Sequence, residues 1–133
     1  MHPGARGGRA ARAGAALAER GDGIVLLKFE PFILHIQCRD PEAAESLVRL
    51  ALGAGFRESG VVNGRRRGKV MVAVRTTSDS MEVPLPPRAA AGEPAELAAE
   101  LCSPAALVFW AAQLDARFES NARRIRRFEA AFV

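Results

Sequence analysis

The feature that most constrains the fold is an alternating strand that leads directly into a capped amphipathic helix. Residues 32–39 alternate apolar and polar side chains, which is typical of a strand with one buried face. Asp40 then provides a helix N-cap, and Pro41 occupies the first helical position. The helix carries an apolar stripe with steps of three and four residues, formed by Ala44, Leu47, Val48, Ala51 and Leu52. Because Gly53 and Gly55 end this stripe, the segment predicts one helix packed on a sheet.

Four more strands are predicted from shorter patterns. Residues 24–29 are apolar and β-branched at their start, and residues 56–62 form a short strand. Residues 63–68 form a glycine-bounded turn that contains three arginines. Strands at 69–76 and 81–85 follow, each with alternating side chains.

One long helix is predicted from Pro104 to the C-terminus. Its apolar seam alternates steps of four and three and has one polar member, Asn121; the seam comprises Leu107, Ala111, Leu114, Phe118, Asn121, Ile125, Phe128 and Phe132. We expect this seam to pack on the sheet in a monomer, with dimerisation as the alternative. The element order β-β-α-β-β-β-α predicts an α+β fold in which helices pack on a small mixed or antiparallel sheet.

The composition is that of a single soluble domain. The chain has 133 residues, and the Gly/Ala/Arg-rich residues 1–23 predict a disordered leader, with a transit peptide as the alternative. Residues 24–133 then form the domain. No apolar run approaches the roughly 20 residues that cross a bilayer, so we expect a cytoplasmic protein. Cys38 and Cys102 are too few for a disulfide framework or a zinc site, and no metal is expected.

Positive charge is concentrated in the middle of the chain. Between Arg49 and Arg75 the sequence has seven basic residues and a single acid, Glu58. The part of this cluster nearest the predicted turn consists of Arg57, Arg65, Arg66, Arg67 and Lys69. Such a cluster suits contacts with nucleic-acid phosphates. A solvated loop is the alternative explanation.

Several sequence blocks resemble a known family. They are LKFEPFILHIQCRD at 27–40, GFRESG at 55–60, RGKVMVAVRTT at 67–77 and MEVPL at 81–85. These blocks are similar to the C-terminal part of the wybutosine-synthesising protein 3 family. ESNARRIRRF at 119–128 also resembles the family's closing helix, commonly EENKKRIERF. The resemblance covers about residues 24–133.

The resemblance implies an S-adenosylmethionine-dependent methyltransferase without the Rossmann fold. The implied substrate is 4-demethylwyosine, which lies beside the anticodon of phenylalanine tRNA. The family domain begins with a helical segment and an SSCSGR-type motif, and neither has a counterpart here. We therefore expect a shortened form of the domain. The alternative function is a catalytically inactive form that retains only RNA or partner binding.

The positions of polar residues along the strands, and not the resemblance, suggest which residues form the site. If the strands at 33–39, 69–76 and 81–85 are neighbours, Arg39 and four further polar side chains gather on one patch. Among these, Glu82 or His35 would orient or deprotonate the base. Gln37 and Arg75 would hold polar groups of the cofactor or substrate. Glu82 is expected to pair with an arginine. The alternative is a merely solvated sheet face.

Overall fold

The structure is a computed structural model that describes residues 12, 25–66, 69–85 and 99–132. Its elements are β1 (Val25–Phe29), β2 (Leu34–Cys38), α1 (Pro41–Ala54), β3 (Gly60–Arg66), β4 (Lys69–Val74), β5 (Met81–Leu85) and α2 (Pro104–Phe132). This order confirms the predicted succession of strands and helices and the α+β class. None of the described helices combines the length and apolar character needed to cross a membrane.

The described strands form two small antiparallel sheets. In one sheet β1 pairs with β5, and the other has the order β2-β4-β3. The chain also divides into two compact units, and each unit contains one of these sheets. One unit contains β1, β5 and the following residues as far as Ala116, and the other contains Glu30–Ser80 and the residues from Arg117 onward.

Helix α1 begins and ends where its capping residues predict. The Asp40 carboxylate accepts a hydrogen bond of 2.7 Å from the Ala43 backbone N–H at the first turn. At the other end Gly55 adopts φ 99°, a left-handed conformation that favours glycine. A Cβ on Gly55 would also lie 3.2 Å from the Arg127 guanidinium. Both ends of α1 therefore depend on local chemistry that is visible in the sequence.

The three-stranded sheet buries one face under α1. Cys38 of β2 and Val70, Val72 and Val74 of β4 all belong to this core, which confirms the predicted alternation. The helix contributes small and aliphatic side chains, namely Ala44, Leu47, Ala51 and Ala54. Cys38 is a buried free thiol, as expected, and no disulfide is present among the described residues.

An aromatic cluster completes this core. Phe56 is fully buried, and its ring centroid lies 5.9 Å from that of Phe32 and 5.9 Å from that of Phe128. The three phenylalanines come from the residues before β2, the turn after α1 and the C-terminal part of α2. Their contact joins segments that are far apart in the sequence.

The predicted boundaries of the third strand and its turn are wrong. Residues 57–58 form a turn, and β3 begins at Gly60 and continues through Arg66, which pairs with Lys69. Arg65 and Arg66 therefore lie in a strand. The backbone N–H of Phe56 still bonds to the helix carbonyl of Ala51, so the chain is not yet extended there. Two irregularities in the β3–β4 ladder absorb the extra residues of β3.

Part of the predicted seam of α2 packs inside the chain, whereas Phe118 and Phe132 of the seam are exposed. In one unit the side chain of Leu107 is buried against Leu85 of β5. In the other unit Phe128 is buried, and the Asn121 amide oxygen accepts a 3.0 Å hydrogen bond from the Phe32 backbone N–H. The expectation that the seam packs on the sheet is confirmed for these positions.

Replacing Phe56 by alanine should destabilise the protein more than any change on the surface. Removal of a buried phenylalanine costs about 3–5 kcal/mol, because the lost contacts leave a cavity. Urea denaturation followed by circular dichroism measures the change in unfolding free energy. Leu52→Ala, on the exposed side of α1, is the control and should change stability by no more than about 0.5 kcal/mol. A cost for Phe56→Ala below about 1 kcal/mol would contradict the central place of this ring.

Candidate functional site

The outer face of the three-stranded sheet carries two of the predicted residues side by side. In the antiparallel register His35 lies opposite Ala73, and Gln37 lies opposite Met71. Gly60 lies opposite Ala73 on the other side of β4. Residues paired in this way point to the same face, and both His35 and Gln37 are exposed. The face not covered by α1 is therefore polar along β2.

An open cleft of about 180 Å³ lies at the β3 side of this sheet. Its lining residues come from the turn before β3, from β3 itself and from the end of β4, and they are Glu58, Gly60, Val61, Val62, Ala73 and Arg75. No atom lies within 4 Å of the position that a Cβ on Gly60 would occupy. Gly60 leaves space open at this position, and Arg75 provides a positive charge.

Arg75 is held by the turn that precedes β3. Its backbone N–H donates to the Ser59 hydroxyl at 3.0 Å, and that hydroxyl lies 3.3 Å from the Arg75 carbonyl, to which it donates. The Glu58 N–H donates to the same carbonyl at 3.2 Å. The side-chain Nε of Arg75 donates to the Glu58 carbonyl at 3.1 Å. Both the backbone and the side chain of Arg75 are therefore fixed by the GFRESG block.

The carboxylate of Glu58 is directed to threonines at the end of β4. It accepts hydrogen bonds of 3.0 Å from the Thr77 N–H and 3.2 Å from the Thr77 hydroxyl. Hydrogen bonding from Thr76, followed by that from the Thr77 backbone, lowers the pKa of Glu58 below its ordinary value. Glu58 is thus an anion stabilised by neutral donors, and it forms no ion pair with Arg75 among the described residues.

Glu82 lies in the other sheet. In the β1–β5 pair it is directly opposite Lys28, and the two side chains form an ion pair at 3.5 Å. The prediction that Glu82 pairs with an arginine was wrong, because strand pairing places Lys28 opposite Glu82. His35 and Gln37 belong to the three-stranded sheet, and Arg75 directly follows its central strand. These three residues belong to one compact unit and Glu82 to the other, and the patch expected from the sequence stays a prediction.

The described phosphate-binding candidates lie at both ends of the β3–β4 pair, with Arg57 before the start of β3 and Lys69 paired with Arg66 at the other end. Arg57 and Lys69 have exposed side chains, in the turn after α1 and at the start of β4. The backbone places Arg65 and Arg66 in β3, and their side chains are outside the described part. Arg67 as a whole lies outside the described residues. The two described side chains are available to a partner in solution.

A polar contact of the closing helix was missed by the sequence analysis. Asp79, in the turn before β5, adopts φ 69°. Its carboxylate accepts hydrogen bonds of 2.7 Å from the Ser120 hydroxyl and 2.6 Å from the Arg124 guanidinium. The Ser120 hydroxyl, and after it Arg124, lowers the pKa of Asp79. The Arg124 side chain is only 12% exposed, so this arginine has a structural partner.

A second arginine of α2 is used in the same way. The Nε of Arg127 donates to the carbonyl of Ala54 at 3.1 Å, at the end of α1. Arg124 and Arg127 therefore both have hydrogen-bond partners within the chain. The signal was present in the spacing, because Asn121, Arg124 and Phe128 are separated by three and four residues and share one helix face.

Comparison with known proteins assigns the chain to a family. The family model described as "Methyltransferase TYW3" matches residues 5–133. The chain belongs to this family. The matching stretch includes most of the residues predicted to form a leader, and it confirms the resemblance identified from the sequence blocks.

Curated relatives carry the same family name. The tRNA wybutosine-synthesizing protein 3 homolog of Xenopus laevis is 39% identical over 115 residues, which are 86% of this chain and 41% of the relative. The human homolog is 49% identical over 67 residues, covering 50% of this chain and 25% of the relative. The tRNA wybutosine-synthesizing protein 2/3/4 of Oryza sativa subsp. japonica is 40% identical over 108 residues, 81% of this chain and 9% of the relative. The chain thus spans well under half the length of these relatives.

Solved structures with low sequence identity share the fold. The PH1069 protein from Pyrococcus horikoshii superposes with a TM-score of 0.64 at 23% identity, covering 91% of this chain and 56% of that chain. A hypothetical protein from Aeropyrum pernix gives a TM-score of 0.55 at 22% identity, with 90% and 68% covered. The described arrangement of strands and helices therefore recurs in archaeal proteins.

The Asp79 contact should make stability depend on pH. A carboxylate whose folded-state pKa is lowered contributes stability above its unfolded pKa of about 3.9, and loses it as pH falls through the folded value. Asp79→Asn should therefore be less stable than the unaltered protein near neutral pH, and the difference should shrink below about pH 4. Asparagine tolerates positive φ, so backbone strain is not added. Urea midpoints measured from pH 7 to pH 2 test this expectation.

Glu129→Gln is the matched control for this experiment. Glu129 is an exposed carboxylate on the same helix, and its substitution should leave the pH profile unchanged. A stability difference for Asp79→Asn that stays constant over the whole pH range would show that the carboxylate charge is not involved.

Proposed function

We propose that this chain transfers a methyl group from S-adenosylmethionine to 4-demethylwyosine in phenylalanine tRNA, near the anticodon. Membership of the family supports the reaction class, and the names of the relatives support tRNA as the substrate. One observation links the proposal to particular residues. An open cleft lies beside Arg75, and the same sheet also presents His35 and Gln37. A cytoplasmic location is part of this proposal.

The residues of the cleft fit the chemistry of one end of the cofactor. The amino-acid end of S-adenosylmethionine carries a carboxylate, and a guanidinium such as that of Arg75 binds carboxylates with two parallel hydrogen bonds. Gln37 lies on β2, outside the lining of the cleft, and its amide offers both a donor and an acceptor for polar groups that extend beyond the cleft. The cleft of about 180 Å³ is smaller than the roughly 300–1,000 Å³ of most small-molecule sites. It would therefore hold part of the cofactor.

The roles of the remaining site residues follow from the reaction. The cofactor supplies an electrophilic methyl group on a sulfonium. The protein has to align an unprotonated ring nitrogen with that methyl group, and positioning of this kind supplies much of the rate acceleration. His35 or Glu82 would orient the base or accept its proton. His35 shares a sheet with the cleft residues, which favours it over Glu82.

Basic residues around the β3–β4 hairpin would contact tRNA phosphates. These are Arg57, Arg65, Arg66, Arg67 and Lys69. Phosphate contacts fix the register and orientation of a nucleic acid without reading its sequence. They would supply affinity while the cleft supplies chemical selectivity.

Methylation of tRNA that contains 4-demethylwyosine tests the proposed reaction. Transfer of a labelled methyl group from the cofactor is expected with the unaltered chain. His35→Ala should lower kcat by about 10²–10⁴-fold if the imidazole acts as a general base. Arg49→Ala, an exposed arginine on α1 that pairs with Glu45, is the control and should retain full activity. Saturable tRNA binding without methyl transfer would contradict the enzymatic proposal and support the inactive alternative.

The phosphate contacts are tested by the salt dependence of tRNA binding. Arg57→Ala and Lys69→Ala should each weaken binding and lower the slope of log affinity against log salt by about 1, because one phosphate contact is lost. The same Arg49→Ala variant should leave the slope unchanged. Equal slopes for all four proteins, measured by fluorescence anisotropy, would show that Arg57 and Lys69 do not contact phosphates.

A further inference from the structure

We propose that Ser59 and Glu58 are positioning residues that present the Arg75 guanidinium to an oxyanion in the cleft. This inference rests on the proposed function, because it assigns the ligand chemistry of the same site. It assigns different roles to three residues, and these roles do not follow from membership of the family. Arg75 would contact the ligand, whereas Ser59 and Glu58 would act through Arg75.

The first support is the way in which the backbone of Arg75 is held. Arg75 lies one residue beyond the end of β4, where the ladder no longer fixes the chain. The Ser59 hydroxyl replaces the missing strand partner by bonding to both the N–H and the carbonyl of Arg75, at 3.0 and 3.3 Å. The Ser59 hydroxyl, together with the Glu58 N–H, therefore fixes where the Arg75 side chain leaves the sheet.

The second support is the arrangement of the guanidinium. Its Nε is tied to the Glu58 carbonyl at 3.1 Å, which restricts the rotation of the long side chain. Within the described residues, no carboxylate forms an ion pair with Arg75 and its terminal amino groups have no hydrogen-bond partner. An arginine presents its donors in a rigid fork. Its remaining donors are therefore available to a ligand in the cleft that Arg75 lines.

The third observation in support concerns the hydrogen bonds of the Glu58 carboxylate. Glu58 lines the same cleft, yet both of its carboxylate oxygens accept hydrogen bonds from Thr77. The threonine donors hold Glu58 in place as an anion and direct it away from a pairing with Arg75. The positive charge of the arginine is thus left for an external anion.

The geometry points to a ligand with a planar or forked oxyanion beside a flat group. Gly60 carries no side chain and the space that a Cβ would occupy there is open, so a flat group can approach the sheet at this position. The oxyanion has two possible sources. It is the carboxylate of the methyl donor or a phosphate of the RNA, and either would form charge-assisted hydrogen bonds with Arg75.

Calorimetric titration with paired probes tests this inference on the full chain. S-adenosylhomocysteine carries the carboxylate, and 5′-methylthioadenosine is the related nucleoside without it. A short RNA oligonucleotide with the anticodon stem-loop sequence provides the phosphate arm. The variants are Arg75→Ala and Ser59→Ala, together with Ser59→Thr, which retains the hydroxyl. Arg49→Ala is the control for loss of a surface charge.

Arg75→Ala and Ser59→Ala are each expected to weaken one oxyanion-bearing probe by about tenfold or more, the equivalent of one charged hydrogen bond. Binding of 5′-methylthioadenosine should stay within about threefold, since it lacks the group that Arg75 contacts. Ser59→Thr should restore binding, and the double variant Arg75→Ala/Ser59→Ala should be no weaker than Arg75→Ala alone. Weaker binding of S-adenosylhomocysteine identifies the cofactor carboxylate as the group that Arg75 contacts. Weaker binding of the RNA identifies a phosphate instead.

Three results would overturn the inference. One is unchanged binding of both oxyanion probes by Arg75→Ala. Another is equal weakening of all three probes by Ser59→Ala, which would indicate general damage to the fold. The third is the absence of saturable binding of either oxyanion probe to the unaltered chain. Loss of methyl transfer with intact Arg75-dependent binding would instead reject only the proposed reaction, so the two failures are distinguishable.

Discussion

The burial of one face of the β2-β4-β3 sheet is the constraint on which the rest of the described site depends. Val70, Val72 and Val74 have to point toward α1, since their exposure would forgo the main favourable contribution to folding. On β2, Leu34, Ile36 and Cys38 pair with these valines and face the same side. Strand geometry then directs the residues between them to the opposite face, so His35 and Gln37 are exposed.

The closing helix contributes to this arrangement through polar contacts as well as apolar ones. Phe128 enters the aromatic cluster, and Asn121, Arg124 and Arg127 each bond to a different segment of the same unit. The block that resembles the family's final helix therefore carries structural contacts. Its similarity to the family is evidence for the fold, whereas the GFRESG block is the one that adjoins the cleft.

The cleft exists because several local departures from regular structure occur together. The chain turns at residues 57–58, β3 contains a ladder irregularity next to Val62, and Gly60 and Ala73 have small side chains. Arg75 follows the last residue of β4, where a hydroxyl replaces the ladder contacts. A site at the end of a strand can hold a side chain in a fixed position and still leave space in front of it. A regular edge of a sheet offers no such space.

Much of the architecture follows from local patterns in the chain. Asp40, Pro41 and Gly55 bound α1 because capping is a short-range interaction. Alternation identified the buried and exposed faces of β2, whereas on β4 Ala73 is buried as well as Val70, Val72 and Val74. The boundaries of β3 were not predictable in this way, since a hydrogen bond from Phe56 to the preceding helix delays the start of the strand.

The amino-acid sequence by itself determined the order of the elements, the buried side of β2 and β5, and the family to which the chain belongs. Only the tertiary structure decided which strands pair, that Glu82 faces Lys28, and that Arg124 bonds to Asp79. Periodicity and capping depend on residues a few positions apart. Strand pairing and polar partners depend on residues that the fold brings together from distant parts of the chain.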